Sequence, residues 1–303
     1  MPRTVKQLGL HRVDGRSYWF AAYFNAFRRD RMIQYAGQAR ADRFNETFGG
    51  KLPFADAKIA CVFDPDAEAA RQFADTFCVA VAASLEEFAD GLDGVIVPFP
   101  AGGPTRDYGV IEPLIDRGLP LSLDRIILEQ SENLRRLCEK ATRLRAPLQV
   151  TCFMRYLAPE LLPEGQSRPT CVIAWTGGEP PGYGADLLDL VDELMQGQAV
   201  SAINVGEPQA DVLRIRYADG RHAILHLFHG VKPPMCVTAL GDGWSRSLEI
   251  NAGHYHLAAM RQFEAFLHSI DTREPPVPYE RVLANAAVLH AAERREFGVE
   301  SAL

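Results

Sequence analysis

Short apolar runs and amphipathic stretches alternate through the first half of the chain. The apolar runs are Lys58–Phe63, Gly94–Val97, Pro120–Leu123 and Leu148–Phe153. Between them, segments such as Ala67–Phe77 and Glu129–Leu144 place apolar residues at helical spacing. Strands buried on both faces read as short continuous apolar runs, and helices supply the crossovers between parallel strands. From residue 5 to about 155 the pattern therefore predicts an α/β unit built on a doubly wound parallel sheet.

The texture changes after Arg155. Pro159, Pro163, Gly165, Ser167 and Pro169 crowd a connecting stretch, as loops do. Strand-like segments follow at Thr170–Thr176, Val200–Val205, Val212–Tyr217, His222–Phe228, Met235–Leu240 and Ser247–Asn251. Alternating residues flank Ala218-Asp219-Gly220, which signals a hairpin. Helices are expected at Leu257–Ser269 and Tyr279–Phe297, separated by Pro275–Pro278. The second half thus reads as α+β with an open, mainly antiparallel sheet. The expected division is residues 1–153 for the Rossmann-type unit and 154–303 for the sheet unit.

Composition narrows the class. A charged fraction of 23% with 47% hydrophobic residues is that of a globular chain. A net charge of −7 disfavours nucleic acid or an anionic membrane as the main partner. No apolar run reaches the roughly 18 residues of a membrane span. The first residues lack the apolar core of a signal peptide. The six cysteines (61, 78, 138, 152, 171 and 236) show no Cys-x-x-Cys spacing and lie partly in apolar segments, so reduced thiols in a cytoplasmic protein are expected rather than a metal or a disulfide framework.

These phrases, in this order, resemble the Gfo/Idh/MocA oxidoreductase family, from Val5 to about Phe297. The resemblance is strongest over Ile59–Asp66, Val95–Pro100, Gly118–Arg125 and Val212–Gly220, with a long insert at roughly Arg28–Ala57. It implies NAD or NADP as cofactor, a hydroxyl or keto carbon of a sugar-like substrate as the reacting centre, and a homodimer or higher homo-oligomer.

Position by position, the family's chemistry is altered. A dinucleotide fold wants Gly-x-Gly-x-x-Gly after its first strand. Here Gly9-Leu10-His11-Arg12-Val13-Asp14-Gly15-Arg16-Ser17 offers only Gly15, and Asp14 adds a negative charge. Arg12 and Arg16 can instead meet phosphate through their side chains. Asp64 matches the family's ribose-binding carboxylate, while the Asp64-Pro65-Asp66 turn equally suits helix capping, with Asp66 as the cap. Pro100 fits the proline that shapes the cofactor wall. At the corner where the family has Glu-Lys-Pro or Asp-Lys-Pro, this chain has Asp124, Arg125 and Ile126. Arginine stays protonated where lysine can relay a proton. Arg125 can anchor an anionic or polarised oxygen, or pair with Asp124.

The family's Asp-x-Gly-x-His-x-x-Asp corresponds to Gly182–Asp189, with Asp186 at the histidine position. Asp186 and Asp189 suit either acid–base work or a helix N-terminus. Arg155 and Tyr156 correspond to family residues near substrate, and hinge packing explains them equally. His226 and His229, three apart in a strand, point to opposite faces, and the His254-x-His256 pair is only a weak metal signal, so no metal is expected. The expectation is a nicotinamide-dependent oxidoreductase with Arg125 and Asp186 replacing the lysine and histidine. A non-redox enzyme or a non-catalytic partner subunit is the alternative.

Overall fold

The computed structural model describes residues 5–49, 51–98, 108–124, 131–178, 180–293 and 298–302. It forms two compact units. Unit 1 comprises the described residues within Met1–Asp124, Glu139–Gln149 and Phe266–Pro276; unit 2 comprises those within Arg125–Cys138, Val150–Ala265 and Val277–Leu303.

Unit 1 is built on β1 (Lys6–His11), β2 (Ala57–Phe63), β3 (Ala80–Val81), β4 (Gly94–Val97), β5 (Leu121–Leu123) and β6 (Leu148–Gln149). They make one parallel sheet in the order β3-β2-β1-β4-β5-β6. Every residue of β4, β5 and β6 is buried, which is why these strands are unbroken apolar runs. Gly9 is needed in β1, because a Cβ there would stand 2.5 Å from Leu92 and 2.7 Å from Phe88. The last strand is shorter than the apolar run Leu148–Phe153 suggested. The chain leaves the sheet after Gln149 and coils into a 3-10 turn over Phe153–Leu157.

The helices α1 (Gly15–Ala21), α2 (Arg29–Ala36), α3 (Gln38–Phe48), α4 (Ala67–Phe77), α5 (Leu85–Ala89), α6 (Tyr108–Asp116) and α7 (Ser131–Leu144) occupy the connections. The insert before β2 thus holds a pair of helices, α2 and α3, which the periodicity had not resolved. Aromatic edges fix α3 in place. Phe44 meets Trp19 at 4.7 Å between ring centroids and Phe27 at 5.8 Å, and Phe48 meets Tyr23 at 5.0 Å.

Unit 2 opens with the short helix α8 (Ala158–Leu161) and the strand β7 (Cys171–Gly177). A π-type turn at Pro180–Gly184 leads into α9 (Ala185–Met195). The strands β8 (Ala199–Asn204), β9 (Ala210–Tyr217), β10 (His222–Phe228), β11 (Cys236–Gly241), β12 (Trp244–Glu249) and β13 (Glu300–Ala302) complete a seven-stranded sheet. Its order is β12-β11-β7-β10-β9-β8-β13, and only the β7–β10 pair is parallel. The expected hairpin is there, with Gly220 at φ 86 in its turn. The final strand β13 was not foreseen, since three residues carry no periodicity. The helices α10 (Ala252–Thr272) and α11 (Tyr279–Glu293) follow the sheet.

Truncating Phe44, 2% exposed, removes the ring that meets both Trp19 and Phe27. Phe44→Ala is expected to destabilise the protein by about 3 kcal/mol, read as a lowered denaturation midpoint.

Candidate functional site

In unit 1 the loop after β1 is held by a dense set of hydrogen bonds. His11 is fully buried, stacked on Phe63 with 5.6 Å between centroids, and its Nδ1 lies 3.0 Å from the Phe63 carbonyl. Arg12 then takes a left-handed backbone, φ 69, a region uncommon for a residue with a side chain. Its amide donates to the Phe63 carbonyl at 3.0 Å. The Val13 amide donates to Asp64. Asp14 caps α1: its Oδ1 accepts from the amides of Arg16 at 2.8 Å and Ser17 at 2.9 Å, while its own amide donates to Ser17 Oγ at 2.9 Å. This is a capping box in geometry, with Ser17 in place of the usual Glu or Gln.

The amides of residues 12, 13, 14, 16 and 17 therefore all have intramolecular partners. A glycine-rich loop would leave such amides for a pyrophosphate. Here a carboxylate already occupies the start of α1, so the backbone cradle of the fingerprint does not fit a diphosphate. Gly15 remains exposed on the outer side of the turn.

Asp64 serves both neighbouring loops. One oxygen accepts from Val13 and the other from the Asp66 amide at 2.7 Å. Asp66 caps α4 by accepting from Glu68 N at 2.9 Å and Ala69 N at 3.1 Å. A carboxylate has about four acceptor positions, so Asp64 keeps capacity for a ribose hydroxyl alongside its structural bonds.

Asp124 directly follows β5 and is 2% exposed. Its amide donates to the Val97 carbonyl at 3.1 Å, and its carboxylate pairs with the Arg16 guanidinium. Arg16 is thereby engaged by a buried acid rather than directed to phosphate. Arg125 and Pro100 lie outside the described residues. The cation that sequence reading missed is Arg40 of α3. Its Nη2 lies 3.2 Å from where a Cβ on Gly15 would stand, and its guanidinium lies over the Tyr18 ring, 5.9 Å from the centroid. The sequence signal was available in the i, i+3 pairing of Arg40 with Arg43, which lies over Trp19 at 5.8 Å.

Unit 2 carries a cluster of five charges around Arg155, itself 3% exposed. Arg155 Nη1 donates to Asp189 Oδ1 at 2.7 Å and Asp192 Oδ2 at 2.8 Å, and Nη2 pairs with Glu193. Arg281 of α11 donates to Asp192 Oδ2 at 2.7 Å and to Glu193 Oε2 at 3.3 Å. Asp189 also accepts from the Cys152 amide at 2.7 Å and from Asn285 Nδ2 at 3.4 Å. Arg155, expected near substrate, and Asp189, expected in acid–base work or at a helix N-terminus, are thus bonded to each other. Tyr156 is half-buried, and its carbonyl accepts from Arg261 Nη1 at 2.9 Å.

Three carboxylates face two guanidiniums, which leaves one excess negative charge; Arg155, Asp189 and Asp192 are buried, while Glu193 and Arg281 reach solvent. Burial, with the Asp192 charge beside it, pushes the Asp189 carboxyl up to about 6 against the pull of Arg155. The same anions hold the Arg155 guanidinium firmly protonated. Asp186 sits in the first turn of α9 and is fully buried.

A cavity of about 470 Å³ lies at the end of β7, beside the turn that leads into α9. Thr176, Tyr183, Lys232, Met235, Ile250 and Tyr255 are among its lining residues. Its size is that of a small-molecule pocket. Thr176, Tyr183, Lys232 and Tyr255 bring polar groups to a lining otherwise made of glycine, proline and aliphatic residues. Of these residues Tyr183 falls within the Gly182–Asp189 motif and Tyr255 between His254 and His256, while Lys232 lies in a loop without a periodic signal. Asp186 is not among the lining residues. Among the described residues no group of three or more His, Cys, Asp or Glu is placed to hold a metal ion, and no helix is long and apolar enough to cross a membrane.

Comparison with known proteins puts this arrangement in context. Residues 33–152 match the family model GFO_IDH_MocA, an oxidoreductase family with an NAD-binding Rossmann fold. No curated protein matches the chain in sequence. Among solved structures, GenD2 from gentamicin A biosynthesis, in complex with NAD, is similar at a TM-score of 0.74 and 13% identity, covering 99% of this chain and 97% of its own. A myo-inositol dehydrogenase from Corynebacterium glutamicum ATCC 13032 is similar at a TM-score of 0.70 and 15% identity, covering 99% of each chain. The UDP-N-acetylglucosamine 3-dehydrogenase GnnA from Acidithiobacillus ferrooxidans is similar at 0.64 and 17% identity, covering 95% of this chain and 98% of its own.

The charge cluster generates a pH test. Asp189 has a higher pKa folded than the usual 3.8, so between about pH 4 and 6 the folded protein holds the extra proton. Its contribution to stability is complete below pH 4 and is lost as pH rises through 6. The wild-type-minus-Asp189→Asn difference in unfolding free energy should fall across that window, by up to about 1.4 kcal/mol per pH unit. A difference independent of pH in denaturant titrations would refute the assignment. Residues 33–152 are thus similar to an oxidoreductase family with an NAD-binding Rossmann fold, and the two-unit fold is that of the solved structures above.

Proposed function

We propose that the protein is an NAD(P)-dependent oxidoreductase acting on a hydroxyl or keto carbon of a small sugar-like substrate. The observation that carries this reading is the strand order of unit 1, which reverses between β1 and β4 with Asp64 just beyond the carboxyl end of β2. Ligands of doubly wound sheets bind at that reversal, and Asp64 retains acceptor capacity for a ribose. The family match supports the cofactor class. The printed activities of the inositol and UDP-N-acetylglucosamine dehydrogenases support the substrate class, as does the polar, aromatic cavity of unit 2.

In this reading the nicotinamide cofactor supplies the hydride chemistry, and Asp64 holds its adenosine ribose. Arg12 contributes positive charge on the phosphate side, and Pro100 shapes the wall beneath the cofactor. Asp124, neutralised by Arg16, fixes the corner that presents Arg125. The Arg125 fork orients the substrate oxygen, and because arginine does not deprotonate, proton transfer falls to Asp186. Tyr156 borders the substrate, while Arg155 and Asp189 fasten α9 to the segment at Cys152. The six free thiols suit a reducing cytoplasm.

The half-buried face of the unit 2 sheet carries Val212, His226, Trp175 and Cys236 in one cross-strand row and Ile224, Ile173 and Thr238 in the next. Such a face is a surface for a second copy of the chain, and we place the homodimer contact there. Trp175→Glu should shift the protein toward monomer in sizing experiments at micromolar concentration, and wild type that is already monomeric would refute the dimer.

The direct test of function is titration with NAD, NADH, NADP and NADPH, followed by fluorescence and thermal denaturation. A ligand at a hundred times its Kd should stabilise by about 2.7 kcal/mol. Arg125→Ala and Asp186→Asn should keep binding and lose turnover on inositols or nucleotide sugars. The Asp14 carboxylate on the α1 amides favours a second reading, a non-redox or non-catalytic member of the fold. Absence of binding by all four cofactor forms would establish that reading in place of the first.

A further inference from the structure

Unit 1 closes the usual phosphate cradle and holds an arginine over the same turn. The amides at the start of α1 are bonded to Asp14, Ser17 and Asp64, so the helix terminus offers an anion little. Arg16, the nearest cation in sequence, is paired with the buried Asp124. Besides Arg12 at the end of β1, the turn is met by the guanidinium of Arg40, delivered by the insert rather than by the Rossmann strands.

Two features make Arg40 unlike its neighbours. In the same insert Arg28 pairs with Asp75 at 2.8 Å, Arg29 with Asp42 at 2.5 Å and Arg31 with Asp75 at 3.0 Å. Arg40 and Arg43 instead lie over Tyr18 and Trp19. Among the described residues no carboxylate lies within ion-pair distance of Arg40. In a chain of net charge −7, a half-buried arginine kept clear of acids is selectively placed. Stacking on Tyr18 leaves the rim of the planar fork available for hydrogen bonds.

The second feature is its backing. Tyr18 is itself wedged edge-on against Phe73 at 5.3 Å, and α3 is pinned through Phe44 and Phe48. The guanidinium is thus mounted on a packed aromatic base, directly over Gly15, where any larger residue would crowd it. Arginine forks match phosphate oxygens bidentately.

We propose that Arg40 is the diphosphate-binding residue of this protein, an insert-borne guanidinium over Gly15 replacing the backbone cradle of the glycine-rich loop. This rests on the dinucleotide reading above and names the group that would make it possible.

The test is calorimetric titration of the full chain with ADP-ribose, adenosine and NADH, for wild type, Arg40→Ala, Arg40→Lys and Arg43→Ala, each checked for an unchanged unfolding profile. Arg40→Ala should weaken ADP-ribose and NADH at least tenfold and leave adenosine unchanged. Arg40→Lys should recover part of the loss, because lysine restores charge without the fork, and Arg43→Ala should bind within twofold of wild type. Equal ADP-ribose affinity in wild type and Arg40→Ala overturns the proposal, as does a wild type that binds ADP-ribose no better than adenosine. If Arg40 governs ADP-ribose binding but no nicotinamide form binds, the site stands and the oxidoreductase reading fails. If NADH binds equally to wild type and Arg40→Ala, the oxidoreductase reading stands and the site fails. No binding of any of the three ligands to wild type overturns both.

Discussion

A backbone amide at the end of a buried parallel strand must find an acceptor, and in this protein short acidic side chains meet that demand. Asp14, Asp64 and Asp66 each accept from main-chain N–H groups at the carboxyl ends of β1 and β2. Leaving one such donor unsatisfied would cost roughly 1–3 kcal/mol. The carboxylates therefore give the two loops their shape without any ligand. The same bonds put negative charge where related folds receive phosphate, so one structural solution constrains every functional reading of the loop.

Unit 2 solves a different problem. A helix with Asp186, Asp189, Asp192 and Glu193 on or near its buried side needs cations, and Arg155 and Arg281 supply them. Removing one partner from such a cluster typically costs 3–5 kcal/mol, because the other charges stay buried. This cluster accounts for residues that family resemblance would assign to substrate. None of these residues lines the cavity at Thr176, Tyr183 and Lys232.

Most of the architecture was legible along the chain. The strands β2, β4 and β10 and the helix α4 were readable within a residue or so, because full burial forces continuous apolar runs and amphipathic helices keep strict spacing. Elements too short to carry a period were not: β13 has three residues, and β6 ends after two although the apolar run continues to Phe153. The insert was visible only as a length of chain. Its helices are set by Phe44 and Phe48 against aromatic residues some twenty positions earlier, and such packing leaves no local pattern.

The candidate site divides along the same line. Residue type alone showed that the glycine fingerprint is broken. The resemblance, not the chemistry of the residues by themselves, set Arg125 against a lysine and Asp186 against a histidine. Only the tertiary structure decided which charges meet. It paired Asp124 with Arg16, joined Arg155 to Asp189, and brought Arg40 over Gly15. Each of those contacts spans 25 to 108 positions, from Gly15–Arg40 to Arg16–Asp124. An ion pair or stacked guanidinium reflects separation in space, which a linear sequence does not encode position by position.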